Sequence, residues 1–149
     1  MAKKVLLYSG GMDSYIINAL WKPDVRLFVN VGTPAAAIEE ARVKEQVKAG
    51  LIGEVEFENF NLGRYEDKKT FALPLRNMFL IALASYYGDV VVLGSTAEDV
   101  FLDGSERFMR SMEFALKIAW QTQLGIDGKT VKVDTAFKGL DKRNLVNLY

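Results

Sequence analysis

The sequence predicts an α/β protein with a doubly wound, five-stranded, mostly parallel sheet. Short apolar runs rich in valine alternate with longer stretches of helical periodicity, as in proteins built from βαβ units. Glycine turns follow the first, second and fourth apolar runs, at Gly10-Gly11, Gly32 and Gly94. Ligands of doubly wound sheets bind beyond the carboxyl ends of the strands, where the strand order reverses. We therefore expect the three turns to line one cleft.

The first half of the chain predicts three strands and two helices. The first strand covers Lys3 to Tyr8, and the first helix covers Asp13 to Trp21 because Pro23 cannot continue a helix. Thr33 and Pro34 are a typical cap and first residue of the second helix. The other expected segments are a strand over 25–31, the second helix through 49, a half-exposed edge strand over 54–60 and a polar loop over 61–73.

The second half continues the same alternation. Its expected segments are an apolar helix over 74–87, a buried strand over 89–94, a loop over 95–105, a long helix over 106–124, a short strand over 130–133 and a last helix over 141–149. The second helix of the chain has two expected faces: an apolar one at 35, 38, 41, 43 and 47, and a solvated one at 39, 40, 42, 44 and 45.

Length and composition indicate one globular domain over residues 1–149. Apolar residues make up 50% and charged residues 26% of the chain, which is the balance of a folded protein in water. The 19 basic and 19 acidic residues cancel, so the total charge favours neither a nucleic-acid nor a membrane-surface partner. No run is long enough for a membrane helix or a signal peptide. We expect a cytoplasmic protein, in the host cytoplasm if the source is a virus.

The chain contains no cysteine and no histidine. It therefore has no thiolate nucleophile, no cysteine that could carry sulfur, no Ser-His-Asp relay and no ordinary zinc site. Only carboxylates remain as metal ligands, and these suit Mg²⁺. We expect no zinc.

The segment from Ser9 to Ser14, Ser-Gly-Gly-Met-Asp-Ser, lies between the first strand and the first helix. Its two glycines allow a sharp turn and a close approach to a ligand. Asp13 or Ser14 is expected to cap the helix, whose first N–H groups and positive dipole end favour an anion such as phosphate. The alternative is a tight strand-to-helix turn that binds nothing. The string is not a Walker P-loop, which has four residues between its glycines.

This segment resembles the PP-loop, Ser-Gly-Gly-x-Asp-Ser, of the ATP pyrophosphatases, enzymes that split ATP between its α and β phosphates. The resemblance implies a Rossmann-like fold of the adenine nucleotide alpha hydrolase type. It also implies a set of ATP-binding residues, which are Ser9, Gly10, Gly11, Met12, Asp13 and Ser14 in the loop and Asn30, Gly94 and Ser95 at the other two turns.

Leu73-Pro74-Leu75-Arg76-Asn77 resembles the Val-Pro-x-Arg-Asn segment of the 7-cyano-7-deazaguanine synthases, the QueC family. Further matches follow in the same order, at Leu93-Gly94, Asp99, Leu102-Asp103, Phe108 and Lys142. In that family ATP and Mg²⁺ activate a 7-deazaguanine carboxylate, ammonia makes the amide, and a second ATP dehydrates the amide to the nitrile. The resemblance implies catalytic roles for Asp13, Arg76 and Lys142, Mg²⁺ ligation by Asp13 and Asp99, and substrate contacts from Arg76, Asn77, Asp99 and Asp103.

The chain departs from that family at three places. It lacks the four cysteines that hold zinc, it has Asn30-Val31-Gly32-Thr33 in place of Asp-Tyr-Gly-Gln, and it has Asp103-Gly104-Ser105 in place of Asp-Cys-Arg. Two alternatives therefore stay open: a nucleotide-binding module that has lost turnover, and an ATP pyrophosphatase that acts on a different carboxylic acid. The apolar parts of the helices expected from Pro74 and Glu106 also allow a homodimer.

Overall fold

The computed structural model describes residues 2–94, 106–121 and 128–135. Its strands are β1 (Lys4–Leu7), β2 (Val25–Asn30), β3 (Val55–Asn59), β4 (Val90–Leu93) and β5 (Lys132–Thr135). The helices in these ranges are α1 (Met12–Trp21), α2 (Pro34–Lys48), α3 (Arg76–Ala84) and α4 (Glu106–Gln121), with a short 3-10 turn at Gly63–Tyr65.

The five strands form one sheet in the order β3-β2-β1-β4-β5. All four strand pairs are parallel, and β1 lies at the centre, where Val5 is in register with Val25 on one side and Val91 on the other. From β1 the chain first builds outwards through β2 to β3, and then crosses back to add β4 and β5. The order therefore reverses between β1 and β4, and the predicted doubly wound sheet is confirmed.

Alternate residues of the central strands face two separate hydrophobic cores. Val5, Leu7 and Val91 belong to the core that also contains Ile81 of α3 and Met109 of α4. Leu6, Phe28 and Val92 belong to the opposite core with residues of α1 and α2, Ile17 and Val43 among them. Because both faces of the sheet are covered, the central strands β1 and β4 are apolar from Val5 to Leu7 and from Val90 to Leu93, and each fully buried Leu or Val contributes about 1.5 to 3 kcal/mol to folding.

Several element boundaries differ from those expected. Helix α3 begins at Arg76 and not at Pro74, because Leu75 adopts a left-handed conformation with φ 66° that a helix cannot include. Strand β5 begins two residues later than the predicted strand over 130–133. The expected loop over 95–105 and the expected helix over 141–149 lie outside the described residues.

Other local expectations are confirmed. The Thr33 hydroxyl caps α2 by accepting a hydrogen bond from the Ala36 N–H at 3.1 Å, and Pro34 is the first helical residue. Strand β3 lies at an edge of the sheet. In the segment 61–73, the Asp67 side chain accepts hydrogen bonds from the N–H groups of Thr70 and Lys69, which lower the pKa of this carboxyl. Within the described ranges, no helix is both long and apolar enough to cross a bilayer.

Candidate functional site

A cavity of about 450 Å³ opens beyond the carboxyl ends of the central strands. Ser9 lines it after β1, Val31 and Thr33 line it after β2, and Gly94 lines it after β4. Residues at or next to all three predicted turns thus line one cleft, but Gly10, Gly11 and Gly32 themselves, and the loop residues from Met12 to Ser14, are not on its wall. The rest of the wall comes from β1 and β2, from the first turns of α2, from the segment before α3 and from α3 itself, through residues that include Ile38, Phe71, Arg76 and Leu80.

The two glycines of the loop have different structural roles. Gly10 has φ 81°, and a Cβ there would lie 2.9 Å from Cγ2 of Val43 on α2. Gly11 has an ordinary extended backbone, with φ −78° and ψ 174°, and a Cβ there would meet only the Ser9 hydroxyl at 3.7 Å. The fold therefore requires a glycine at position 10. It does not require one at position 11, where the open space is available to a ligand.

The predicted side-chain cap of α1 is wrong. Gly11 is the N-cap residue, and no side chain makes a capping hydrogen bond there. The Ser14 hydroxyl instead accepts a hydrogen bond from the Ser9 N–H at 3.2 Å and lies 3.0 Å from the Ser9 hydroxyl. Ser14 is therefore used to close the loop, and the first N–H groups of α1, which have no intrahelical acceptors, carry no side-chain cap. An uncapped helix start beside an open glycine is a favourable place for an anion.

Asp13 lies in the first turn of α1, next to Met12, which is half exposed. The Oδ1 atom of Asp13 is buried and has no hydrogen-bond partner among the described residues. A buried carboxylate oxygen without a partner is costly, so Oδ1 of Asp13 is suited to accept a hydrogen bond or to bind a cation. Among the residues that the structure describes, no three acidic side chains lie close enough together to form a metal-binding group.

Gly94 brings the end of β4 against the loop. A Cβ at this position would lie 2.4 Å from the Ser14 hydroxyl and 2.8 Å from the carbonyl oxygen of Leu7. Only a residue without a side chain allows β4 to end this close to β1 and α1. The two turns at the switch in strand order are therefore packed directly against each other.

Charged side chains lie at the mouth of the cleft, where Ser9, Glu39, Arg42 and Arg76 line an adjoining opening. Burial raises the pKa of the Glu39 carboxyl, and this effect outweighs the opposing influence of Arg76 and Arg42. The sequence places Glu39 and Arg42 on a solvated face of α2. In the structure this face borders the cleft, and the predicted apolar residue Ile38 is exposed on the cavity wall.

The other predicted site residues are placed differently. The Asn30 side chain accepts a hydrogen bond from the Gly32 N–H at 2.8 Å and donates one to Glu40 at 3.4 Å, so it orders the second turn and does not line the cavity. Asn77 is buried on α3 and is also absent from the cavity wall. Four further predicted residues lie outside the described residues, namely Ser95, Asp99, Asp103 and Lys142.

Comparison with known proteins supports the fold. No protein-family model and no curated protein sequence matches the chain. Among solved structures, the U34-tRNA thiolase NcsA from Methanococcus maripaludis with its [4Fe-4S] cluster superposes with a TM-score of 0.53 at 19% sequence identity. The match covers 99% of this chain and 56% of the thiolase chain. At this identity the likeness concerns the fold alone, and it agrees with the Rossmann-like α/β class that the sequence predicts.

Proposed function

We propose that this chain binds ATP in the cleft and uses it to activate a carboxylic acid, with release of pyrophosphate. The observation that carries the proposal is the loop from Ser9 to Ser14. Its open glycine, Gly11, lies at an α1 start that no side chain caps, directly at the switch in strand order. This arrangement suits the phosphates of a nucleotide.

The cavity beside the loop suits the rest of a nucleotide. Val29, Val31, Ala36 and Leu80 give it an apolar wall, and Ser9, the first residue of the loop, also lines it. Ligand sites commonly combine such an apolar slot with a few polar groups that fix orientation. An adenine ring in the slot would place the nucleotide beside Ser9, the first residue of the loop.

Asp13 fits a Mg²⁺ ion that accompanies the nucleotide. Mg²⁺ is typically held by one or two carboxylates together with phosphate and water oxygens, and Oδ1 of Asp13 is a buried oxygen with no partner among the described residues. When bound there, the metal would supply positive charge near the departing pyrophosphate. Asp13 would hold that charge in place, and the α1 N–H groups would add to it.

Arg76 and Arg42 support a carboxylate as the acceptor. Both line the opening next to Ser9, and an arginine guanidinium pairs with a carboxylate through two parallel hydrogen bonds. In the proposed reaction, a carboxylate oxygen attacks the α-phosphorus of ATP, and the bond from that phosphorus to the bridging oxygen breaks. Pyrophosphate leaves with the electron pair. Ammonia then attacks the acyl carbon, AMP leaves, and the nitrogen loses a proton to give the amide.

The first candidate acid is a 7-deazaguanine carboxylate, which rests on the resemblance of residues 73–77 to the 7-cyano-7-deazaguanine synthases. Lys142, Asp99 and Asp103 are proposed to complete its site. A sulfur transfer through a cysteine of this chain is disfavoured, because none of its 149 residues is a cysteine. The proposed reactants are therefore ATP, a small carboxylic acid and ammonia.

Pyrophosphate release tests the proposal. The wild-type protein, ATP, Mg²⁺ and ammonia are combined with 7-carboxy-7-deazaguanine, and then with a panel of other carboxylic acids. We expect AMP and pyrophosphate in equal amounts, only when a suitable acid is present. Asp13→Asn should lower turnover about a hundredfold or more while ATP affinity changes much less. Glu45→Gln, on an exposed position of α2, is the matched control.

The outcomes separate the candidate functions. Pyrophosphate release with a different acid would support an ATP pyrophosphatase whose substrate is that acid and not 7-carboxy-7-deazaguanine. ATP binding without pyrophosphate release on the whole panel would favour a binding module. Absence of ATP binding would refute the proposal.

A further inference from the structure

Helix α2 reaches the loop through one side chain, Gln46. The amide of Gln46 donates a hydrogen bond from Nε2 to the carbonyl oxygen of Gly10 at 3.1 Å. Its Oε1 atom accepts a hydrogen bond from the Tyr8 hydroxyl at 2.5 Å. Tyr8 is 2% exposed and directly follows β1, so Gln46 connects the end of the central strand to the first glycine of the loop.

The chemistry of the three groups fixes this arrangement. A peptide carbonyl only accepts hydrogen bonds, so the Gln46 NH₂ group must face Gly10, and its carbonyl oxygen must face Tyr8. The Tyr8 phenol then has to act as the donor. Burial, with a smaller contribution from Tyr15, raises the pKa of Tyr8 to about 12, so the phenol keeps its proton at any physiological pH.

The hydrogen bond to Gly10 also sets the direction of the next N–H group. In a trans peptide the C=O and the following N–H point in opposite directions. Because Gln46 holds the Gly10 carbonyl towards α2, the Gly11 N–H points away from α2. A peptide between two glycines rotates easily, since neither residue has a Cβ that restricts it. The glycines that give the loop its shape therefore leave this N–H without a preferred direction unless another group fixes it.

We propose that Gln46 is a positioning residue, which fixes the Gly10–Gly11 peptide so that the Gly11 N–H is preset to bind a nucleotide phosphate. The inference rests on the proposed ATP site and adds to it a residue that does not touch the nucleotide. Val43, one helical turn earlier on α2, packs against Gly10 and keeps the helix at the distance that the hydrogen bond needs.

Two variants of Gln46 test this role. Gln46→Met keeps the length of the side chain but removes both hydrogen bonds, and Gln46→Glu keeps the acceptor for Tyr8 but has no proton for Gly10 when ionised. Both variants lose the hydrogen bond to Gly10. They should therefore bind a nonhydrolysable ATP analogue about tenfold more weakly at pH 8, which is the typical net effect of one hydrogen bond. Tyr8→Phe keeps the bond to Gly10 and should have a smaller effect. Glu45→Met, at the neighbouring exposed position, should bind like the wild type.

Acidification distinguishes positioning from a general loss of structure. A protonated glutamate at position 46 can again donate to the Gly10 carbonyl, so the affinity of Gln46→Glu relative to wild type should recover as the pH falls to about 4, below the ordinary pKa of a glutamate. The relative affinity of Gln46→Met should not. A loss of structure would lower both relative affinities to a similar extent at either pH.

A measurement without nucleotide provides the second readout. In ¹⁵N relaxation-dispersion spectra of the free protein, the Gly11 amide should show exchange broadening in Gln46→Met and not in the wild type. If wild-type protein binds the analogue and both Gln46 variants bind it equally well, the inference is refuted while the proposed function stands. If wild-type protein does not bind the analogue, both are refuted.

Discussion

Replacing Gly11 by valine separates the needs of the fold from those of the ligand. Gly11 has φ −78° and ψ 174°, which a β-branched residue adopts without strain, and its Cβ would meet nothing closer than the Ser9 hydroxyl at 3.7 Å. Valine is a poorer N-cap residue than glycine, so the free energy of unfolding should fall by no more than about 1 kcal/mol. The folded protein should therefore persist.

ATP binding should be lost in the same variant, because the side chain occupies the space that the phosphates need. A hydrogen bond to a charged group contributes about 1.5 to 3 kcal/mol, so losing two N–H contacts to phosphate costs about 3 to 6 kcal/mol. This corresponds to a loss of affinity of about a hundredfold or more. Titration calorimetry with a nonhydrolysable ATP analogue measures the loss, and thermal unfolding confirms that the variant is folded.

Gly10→Ala is the informative contrast. A side chain at φ 81° costs about 1 to 2 kcal/mol, and the contact at 2.9 Å with Val43 adds about 1 to 3 kcal/mol of overpacking. Gly10→Ala should therefore lower stability clearly, whereas Gly11→Val should lower affinity at nearly constant stability. A folded Gly11→Val protein that binds the analogue with wild-type affinity would refute the assignment of the loop as the phosphate site.

Three further predictions concern the surroundings of the loop. Gly94→Ala should lower the free energy of unfolding by about 1 to 3 kcal/mol, because its Cβ would overlap the Ser14 hydroxyl, whereas Gly11→Ala should not lower it. Equal urea midpoints for the two variants would contradict the described packing of Gly94. Glu39→Gln should raise the melting temperature at pH 7 but not at pH 4, because a raised pKa makes the ionised carboxyl destabilising and the wild type loses stability as the pH rises through that pKa. A difference that is the same at both pH values would exclude ionisation as the cause. Lys142→Ala should lower pyrophosphate release with little change in ATP affinity. Unchanged turnover would refute the catalytic role of Lys142 that the resemblance to the synthases implies.

The sequence predicts the sheet well because its strands have a simple pattern. Val90 to Leu93 is a short, wholly apolar run of three valines and a leucine followed by glycine, which is typical of a strand buried on both faces. The loop is also predictable, since two adjacent glycines between a strand and a helix have few other uses. Both signals are local in the chain.

The parts that the sequence does not predict depend on contacts between distant residues. The hydroxyl of Ser14 can cap α1 or close the loop onto Ser9, and only the folded geometry selects the second use. Glu39 has the pattern of a solvated residue, but the cleft removes part of its water. Gln46 gives no signal of its own, because its partner Gly10 lies 36 positions away and is reached only when α2 packs on the loop.

The central position of β1 also has a consequence for the ribosome-bound chain. The loop is synthesised early, together with β1, but the residue that closes its far side, Gly94, is synthesised only after β4. Until then, one edge of β1 is unpaired and Ser14 lacks its neighbour. The site therefore acquires its final shape late in translation, and a nascent chain that stops before β4 carries the loop sequence without the surface that shapes it.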